Sequence, residues 1–228
     1  AVYMLNCSLG TLIMIAMAVV CLVKGQYVVD MITKTPGLPD DVLIIGACIA
    51  VCAAASMNDL TAPSISLEGK NLWIVRSLPV TSWQILRAKL RMHVILTLIP
   101  ALILDIVMLV FVTPSLVDGV MMLLIPCLYV CLTAYIGLAV NLKMPKLDWT
   151  SEASVVKQSM GVLVAILSNF VYIIVLVVGY LLFGGFTGAT MYLVISTALT
   201  AAAAVLFRIW LKRRGCRCLR RSSGINYR

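Results

Sequence analysis

Residues that could carry chemistry are few in this chain, and those present do not form catalytic patterns. The only histidine, His93, excludes an H-E-x-x-H metal site, and no G-x-S-x-G nucleophile motif occurs. The phosphate-binding pattern G-x-x-x-x-G-K followed by Ser or Thr is also absent. Gly69 and Lys70 are followed by Asn71, and Ser64 stands where the first glycine would be. We therefore predict no enzyme activity, no metal and no cofactor bound by this chain.

Asp105 is the one acidic residue inside a predicted membrane span, about twelve residues and ~18 Å along a helix from His93. A charge at that depth is costly, so Asp105 is a candidate functional residue. One interpretation is a relay for protons or cations. The other is a protonated or hydrogen-bonded carboxyl that joins two helices. We favour the second, because Asp105 has no intramembrane Lys or Arg partner.

The elements that must position these residues are membrane helices. The residues AVILMFWYC make up 62% of the chain and charged residues 12%, and the mean hydropathy is +1.07. Soluble domains have about half apolar and about a quarter charged residues. The composition predicts an all-α, polytopic bundle, and six apolar runs are candidate spans: 3–23, 42–57, 94–112, 119–140, 160–183 and 189–211. The second is shorter than the usual twenty or so residues.

Basic residues in the loops predict which side of the membrane each loop faces, because cytoplasmic loops carry the excess of Lys and Arg. The stretches 58–93 and 141–159 carry five and three basic residues, whereas 24–41 carries two lysines and three aspartates. We therefore place the loops 58–93 and 141–159 and both termini in the cytoplasm of a multi-pass plasma membrane protein.

The net charge of +9 comes from the C-terminal tail. Eight of the eighteen basic residues lie at the end of the last span and in the tail, without an acidic neighbour: Arg208, Lys212, Arg213, Arg214, Arg217, Arg220, Arg221 and Arg228. Beside an apolar helix, such a tail is expected to lie at anionic lipid headgroups and not on nucleic acid. We predict a membrane domain over residues 1–212 and a basic cytoplasmic tail over 213–228.

The stretch between the second and third spans is too apolar for a solvated linker and too charged for a span. Its pattern predicts two amphipathic cytoplasmic helices, the first ending at Pro79. Thr81 and Gln84 have the spacing of a capping box that opens the second helix, which runs into the third span. Two interpretations stay open: the pair of helices lies in the membrane interface, or it docks into a partner's groove.

Two cytoplasmic strings resemble a known family. SLEGKNLWIVRSLPVTSWQILRAK, residues 66–89, resembles the cytoplasmic motif of permeases in the ABC-2 exporter superfamily. NLKMPKLDWTSEASVVKQS, residues 141–159, resembles the cytoplasmic segment that follows in the same family. Together the two strings cover about a fifth of the chain.

This resemblance implies the permease subunit of an ATP-binding-cassette exporter, which moves a substrate using ATP bound by a separate ATPase in trans. It implies a bacterial protein, with the lipid bilayer and a second permease half or dimer as further partners. The implied ATPase-coupling residues are Glu68, Gly69, Trp73, Arg76, Leu78, Pro79 and Lys89, and those of the second loop are Pro145, Trp149, Glu152 and Lys157. The alternative is that these residues only hold the loops at the membrane interface.

Family permeases of this kind are usually longer, so we expect this sequence to be a C-terminal half or a fragment. Two other functions stay open: a proton- or ion-coupled secondary transporter that uses Asp105, and an accessory membrane subunit without transport.

Overall fold

The computed structural model of this protein describes residues 9–35, 42–71, 74, 77, 79–112, 115–147, 149, 155 and 159–221. Within these ranges the chain is helical and no residue lies in a β-strand, which confirms the predicted all-α class. The helices are α1 (Leu9–Thr33), α2 (Val42–Ser56), α3 (Ser82–Val112), α4 (Leu116–Lys143), α5 (Met160–Trp210) and α6 (Cys216–Arg221). A 3-10 segment, Ser66–Asn71, precedes α3, and a π-helical turn, Leu211–Gly215, joins α5 to α6.

Helix α4 lies at the centre of the bundle. In its membrane-length window 56% of the residues are buried, against 28% for α3 and 17% for α1. Tyr129 of α4 stacks on Tyr172 of α5, with 4.6 Å between the ring centroids. Met14 of α1, Val51 of α2 and Leu104 of α3 belong to the same buried apolar cluster. Helices α2, α3 and α5 therefore pack against α4, and α1 packs on α2 and α3 in the same core.

Helix α5 reverses direction at Gly188, whose φ of 74° and ψ of 161° interrupt its helical backbone. Tyr172 and Thr200 share a hydrogen bond of 2.6 Å, and the Tyr192 hydroxyl donates to the carbonyl of Leu176. From the first hydrogen bond to the second, the residue number rises from 172 to 176 in the first half of α5 and falls from 200 to 192 in the second half. The two halves of α5 are therefore antiparallel. A backbone with these angles is essentially restricted to glycine.

The outer surface of the bundle is apolar. Leu116 is 86% exposed and Phe186 91% exposed, and large aliphatic side chains are exposed along all the long helices. Among the residues that the structure describes, four helical segments are long and apolar enough to cross a membrane: Leu9–Thr33, Ser82–Val112, Leu116–Lys143 and Met160–Leu219. Such a surface is stable against lipid and not against water, so the chain is a membrane-associated protein.

The predicted count of six spans is not confirmed. Helix α2 has 15 residues and falls short of a membrane-length helix. The predicted fifth and sixth spans, 160–183 and 189–211, lie in the single interrupted element α5. The two predicted cytoplasmic helices are likewise not confirmed, because much of 72–78 lies outside the described residues and the second is the first part of α3.

Candidate functional site

The described parts of the two cytoplasmic strings meet at one end of the bundle, and Asn141 joins them. Asn141 lies near the end of α4 and is fully buried. Its Oδ1 accepts hydrogen bonds from the backbone N–H groups of Ile65 (2.9 Å) and Ser66 (3.1 Å). Its Nδ2 donates to the Ser66 hydroxyl at 2.8 Å. Buried N–H groups outside regular helix need such partners, so one side-chain amide supports this turn of backbone.

Ser66 is the second centre of these contacts. Its hydroxyl accepts a hydrogen bond from the backbone N–H of Lys146 at 3.0 Å. Its carbonyl accepts one from the indole Nε1 of Trp149 at 2.8 Å. The residues after α4 are therefore bound to the segment before α3, across a sequence separation of about eighty residues.

Gly69 lies against the Trp149 indole. Its φ of 48° and ψ of −127° interrupt the 3-10 segment. A Cβ at this position would lie 2.8 Å from Trp149 Nε1 and 3.2 Å from the Leu147 carbonyl oxygen. Both the backbone conformation and the close approach of the indole exclude a side chain here.

An ion pair ties the same segment to α3. Lys89 Nζ lies 2.6 Å from Glu68 Oε1, with side-chain exposures of 16% for Lys89 and 22% for Glu68. The ammonium also donates to the Ser64 carbonyl at 2.8 Å. Partial enclosure and a second hydrogen bond make this pair stronger than an exposed surface pair. We call the set Ser64, Ser66, Glu68, Gly69, Lys89, Asn141 and Trp149 the polar junction.

Among the residues predicted from the resemblance, Glu68, Gly69, Lys89 and Trp149 are brought together in the polar junction. Two prolines flank it without a described polar contact: Pro79 is exposed shortly before α3, and Pro145 follows α4. Five predicted residues lie outside the described part of the chain: Trp73, Arg76, Leu78, Glu152 and Lys157. No contact tests the coupling role of any of these residues.

Sequence reasoning missed Asn141 and Ser66 as site residues, although both stand inside the quoted strings. The available signal was an asparagine within an apolar helical run, at Asn141. Its partners could not be read from the sequence, because they lie 75 and 76 residues away.

Asp105 is buried in α3, at 1% exposure. Its Oδ2 has no hydrogen-bond partner among the described residues. The helix-joining hydrogen bond that we favoured is therefore not found at this oxygen. No described ion pair involves Asp105 either, and its role stays a prediction.

A second acidic residue, Asp59, is buried where the chain leaves α2. It is 7% exposed, and its Oδ2 has no hydrogen-bond partner among the described residues. Burial raises the pKa of this carboxyl to about 7. Its neighbour Asn58 is well bonded, since its amide contacts the Thr11 backbone N–H at 3.0 Å and the Thr97 hydroxyl at 3.3 Å. The raised pKa of Asp59 has burial as its cause, and no charged neighbour within the described chain contributes to it.

Comparison with known proteins adds one family. A family model described as "Putative ATP-binding cassette" matches residues 41–214, or 174 of the 228 residues. No curated protein and no solved structure matches the chain.

The family description contradicts several expectations from the sequence. It names an ATP-binding cassette, which points to the nucleotide-binding component of a transporter and not to an ABC-2 permease. The predicted permease function is therefore wrong, and neither the secondary-transporter nor the accessory-subunit alternative is better supported. The predictions of no enzyme activity, no cofactor on this chain and an ATPase in trans are contradicted by the same description.

The reason for these errors is that the sequence patterns we used cover few residues. The resemblance used two strings that cover about a fifth of the chain, and the missing phosphate loop is one short local pattern, whereas the family model compares 174 residues. Association with an ABC transporter complex is what remains of the predicted partners. Because the match covers more than half of its length, the chain belongs to the family described as "Putative ATP-binding cassette".

Proposed function

We propose that this chain is a membrane-associated component of an ABC transporter complex in which the polar junction transmits movement between the connecting segments and the helical bundle. The observation that carries the proposal is the hydrogen-bond set of Asn141 and Ser66, which joins two segments distant in sequence. The family match supports the complex, and the four membrane-length segments support the membrane location.

The polar junction suits this role because it is bonded to the ends of two long helices. Lys89 belongs to the first part of α3 and Asn141 to the last turn of α4. A displacement of the segment around Ser66 must either move both helix ends or break buried hydrogen bonds. Breaking such bonds leaves polar groups unpaired in an enclosed site, which is unfavourable. Concerted movement is the lower-energy response.

ATP is the ligand that the family description implies, and the described residues of the junction do not fit it. A phosphate-binding loop presents glycine N–H groups to an open space. At Gly69 that space is filled by the Trp149 indole and the Leu147 carbonyl. The Lys89 ammonium is already paired with Glu68. We therefore assign no nucleotide contact and no step of the coupling to these residues.

The experiment compares Lys89→Gln with Arg87→Gln in the complete complex, purified with the full chain and reconstituted in nanodiscs. Both residues lie on α3, but Arg87 is exposed and has no described contact with the junction. Nucleotide binding is measured by titration with ATP, and movement by ATP-dependent hydrogen exchange of α3 and α4. We expect Lys89→Gln to leave ATP affinity unchanged and to reduce the ATP-dependent change in exchange at least about fivefold.

Arg87→Gln is expected to behave like the unmodified protein in both measurements. An unaltered exchange response in Lys89→Gln would contradict the coupling role of the junction. A complex containing this chain that binds no ATP would contradict the wider proposal, and the two failures are distinguishable.

A further inference from the structure

An apolar groove of about 460 Å³ runs along the outside of the bundle between α4 and α5. Its walls are formed by Ile136, Ala139 and Val140 of α4 and by Ser168, Leu206 and Phe207 of α5. Leu206 is 66% exposed and Phe207 37% exposed, so the groove opens onto the surface that faces lipid. The small side chains of Ala139 and Ser168 contribute to its depth. A groove of this shape and lining accepts a flexible hydrocarbon chain.

One end of the groove is cationic and aromatic. Lys143 and Trp210 close it, with Lys143 Nζ 5.1 Å from the centroid of the Trp210 ring. Lys143 is the last residue of α4, next to the polar junction at Asn141. Tryptophan and lysine are the residues that proteins place at the level of lipid headgroups. The groove therefore changes from apolar to positively charged along its length, in the same order as a lipid changes from acyl chain to phosphate.

The charged residues described around this end of the groove are basic. Arg208 interacts electrostatically with Tyr135, beside the groove on α4, and exposed Lys212 and Arg213 follow Trp210 on the next turn. Every residue that lines the groove in the described chain is apolar, small or basic. A neighbouring protein helix would match this pattern only with an acidic residue in the correct register. Any anionic phospholipid of the surrounding bilayer matches it.

We propose that the groove between α4 and α5 is a binding site for one anionic phospholipid, with an acyl chain beside Ala139, Ser168 and Phe207 and the phosphate beside Lys143 and Trp210. The site is independent of the proposed function, because it needs neither nucleotide nor movement of the polar junction. It is also distinct from general attraction to the basic tail, because the acyl chain and the phosphate are held together in one place.

The test counts the lipids that the purified full chain retains in native mass spectrometry, with phosphatidylglycerol or phosphatidylcholine as the probe. Lys143→Gln removes the phosphate contact, and Ser168→Phe fills the groove without changing the charge. Lys212→Gln is the matched control, because it removes an equal charge close by but outside the groove. We expect one retained phosphatidylglycerol, bound about fivefold more weakly after loss of the Lys143 cation. Ser168→Phe is expected to abolish retention, and Lys212→Gln to leave it unchanged.

Circular dichroism of each variant checks that the helices are intact. If Lys143→Gln does not fold, quenching of tryptophan fluorescence by brominated phosphatidylglycerol gives a second measurement, and quenching should be smaller in Trp210→Phe than in the unmodified protein. Equal retention of both lipids, equal losses in Lys143→Gln and Lys212→Gln, or undiminished binding in Ser168→Phe would each overturn the site. A cross-link from position 168 to another protein helix in place of lipid would overturn it as well.

Discussion

At the scale of single residues, backbone conformation and packing both require that position 69 carry no side chain. Its φ is positive, and the Trp149 indole occupies the place that a side chain would take. A larger residue must either leave this conformation or displace the indole that donates to Ser66. The position therefore reports on the integrity of the polar junction.

We expect Gly69→Ala to lower the free energy of unfolding by about 1–3 kcal/mol, because a non-glycine residue is strained there and its Cβ contacts Trp149. The measurement is a denaturant titration in mixed micelles. Gly46→Ala is the matched control, since nothing lies within 4 Å of a Cβ at Gly46 inside α2. There the loss of helix-interior glycine should stabilise the protein by about 0.5–1 kcal/mol. Equal effects at the two positions would contradict the assignment.

Asp59 is a second residue with a local physical consequence, and it makes stability depend on pH. Burial raises the pKa of its carboxyl to about 7 in the folded protein, above the ordinary value of 3.8. The folded state therefore binds this proton more tightly than the unfolded state does. Its contribution to the free energy of unfolding is largest at low pH, falls as pH rises from about 4 to about 7, and is constant above that.

We expect Asp59→Asn to remove this decline. Because each tenfold change in proton affinity corresponds to about 1.36 kcal/mol, the decline amounts to at most ~4 kcal/mol. Unfolding titrations at a series of pH values measure it. Asp30→Asn is the control, because the Asp30 side chain is 50% exposed and pairs only loosely with Lys34 at 3.9 Å. A pH profile that keeps its slope in Asp59→Asn would contradict the prediction.

At the scale of elements, the start of α3 follows from local sequence. The predicted capping box is present: the Gln84 side chain accepts from the Thr81 backbone N–H at 2.7 Å, and Thr81 Oγ1 accepts from the Gln84 N–H at 3.3 Å. These bonds satisfy donors that a helix end leaves free. From this cap the helix continues to Val112 through Pro100, so it carries Lys89 and Asp105 on one continuous element.

We expect Thr81→Ala to loosen the first turn of α3 by about 1 kcal/mol, the usual worth of an N-cap side chain. Hydrogen exchange of the amides near Gln84 should accelerate about fivefold, while the rest of α3 is unchanged. Thr35→Ala is the control, because it removes the same hydroxyl at an exposed position just after α1, where Thr35 Oγ1 donates to the Met31 carbonyl. Faster exchange at α3 in that control variant would show that the effect is not specific to the cap.

At the scale of the whole molecule, the contacts define two opposite ends. Thr11, near the beginning of α1, bonds to Asn58 close to the polar junction, whereas Lys34 follows the other end of the helix. Helix α1 has 25 residues and a length of ~38 Å, which exceeds the ~30 Å of a bilayer's hydrocarbon. Leu211 and Leu219 pack with Ile65 and Leu86, so the basic tail lies at the junction end.

We expect trypsin to cleave at Lys34 and in the basic tail from opposite sides of a sealed membrane vesicle. With the cytoplasmic face outward, the tail at Arg213 and Arg217 should be cut and Lys34 protected. With the other face outward, the pattern should reverse. Mass spectrometry of the peptides measures both sites, and detergent-permeabilised vesicles, in which both are cut, provide the control. Cleavage of both sites in one sealed orientation would contradict the assigned topology.

Sequence alone determined the class of this protein, because a membrane helix is a local and compositional property. The apolar runs 3–23, 94–112 and 119–140 need no distant partner to be recognised, and each overlaps a membrane-length helix of the structure. The Thr81–Gln84 cap likewise extends over only four residues. The number of spans was less predictable. Gly188 divides α5 into two antiparallel halves within one helical element, and α2 has only 15 residues.

Tertiary structure alone decided which candidate-site residues join distant parts of the chain. Asn141 and Ser66, the Lys89–Glu68 pair and the groove ending at Lys143 and Trp210 depend on contacts across 21 to 75 residues or between separate helices. A buried hydrogen bond is worth most where water is excluded, and exclusion depends on how all the helices pack. No local pattern contains that information, so these partners became visible only in the folded chain.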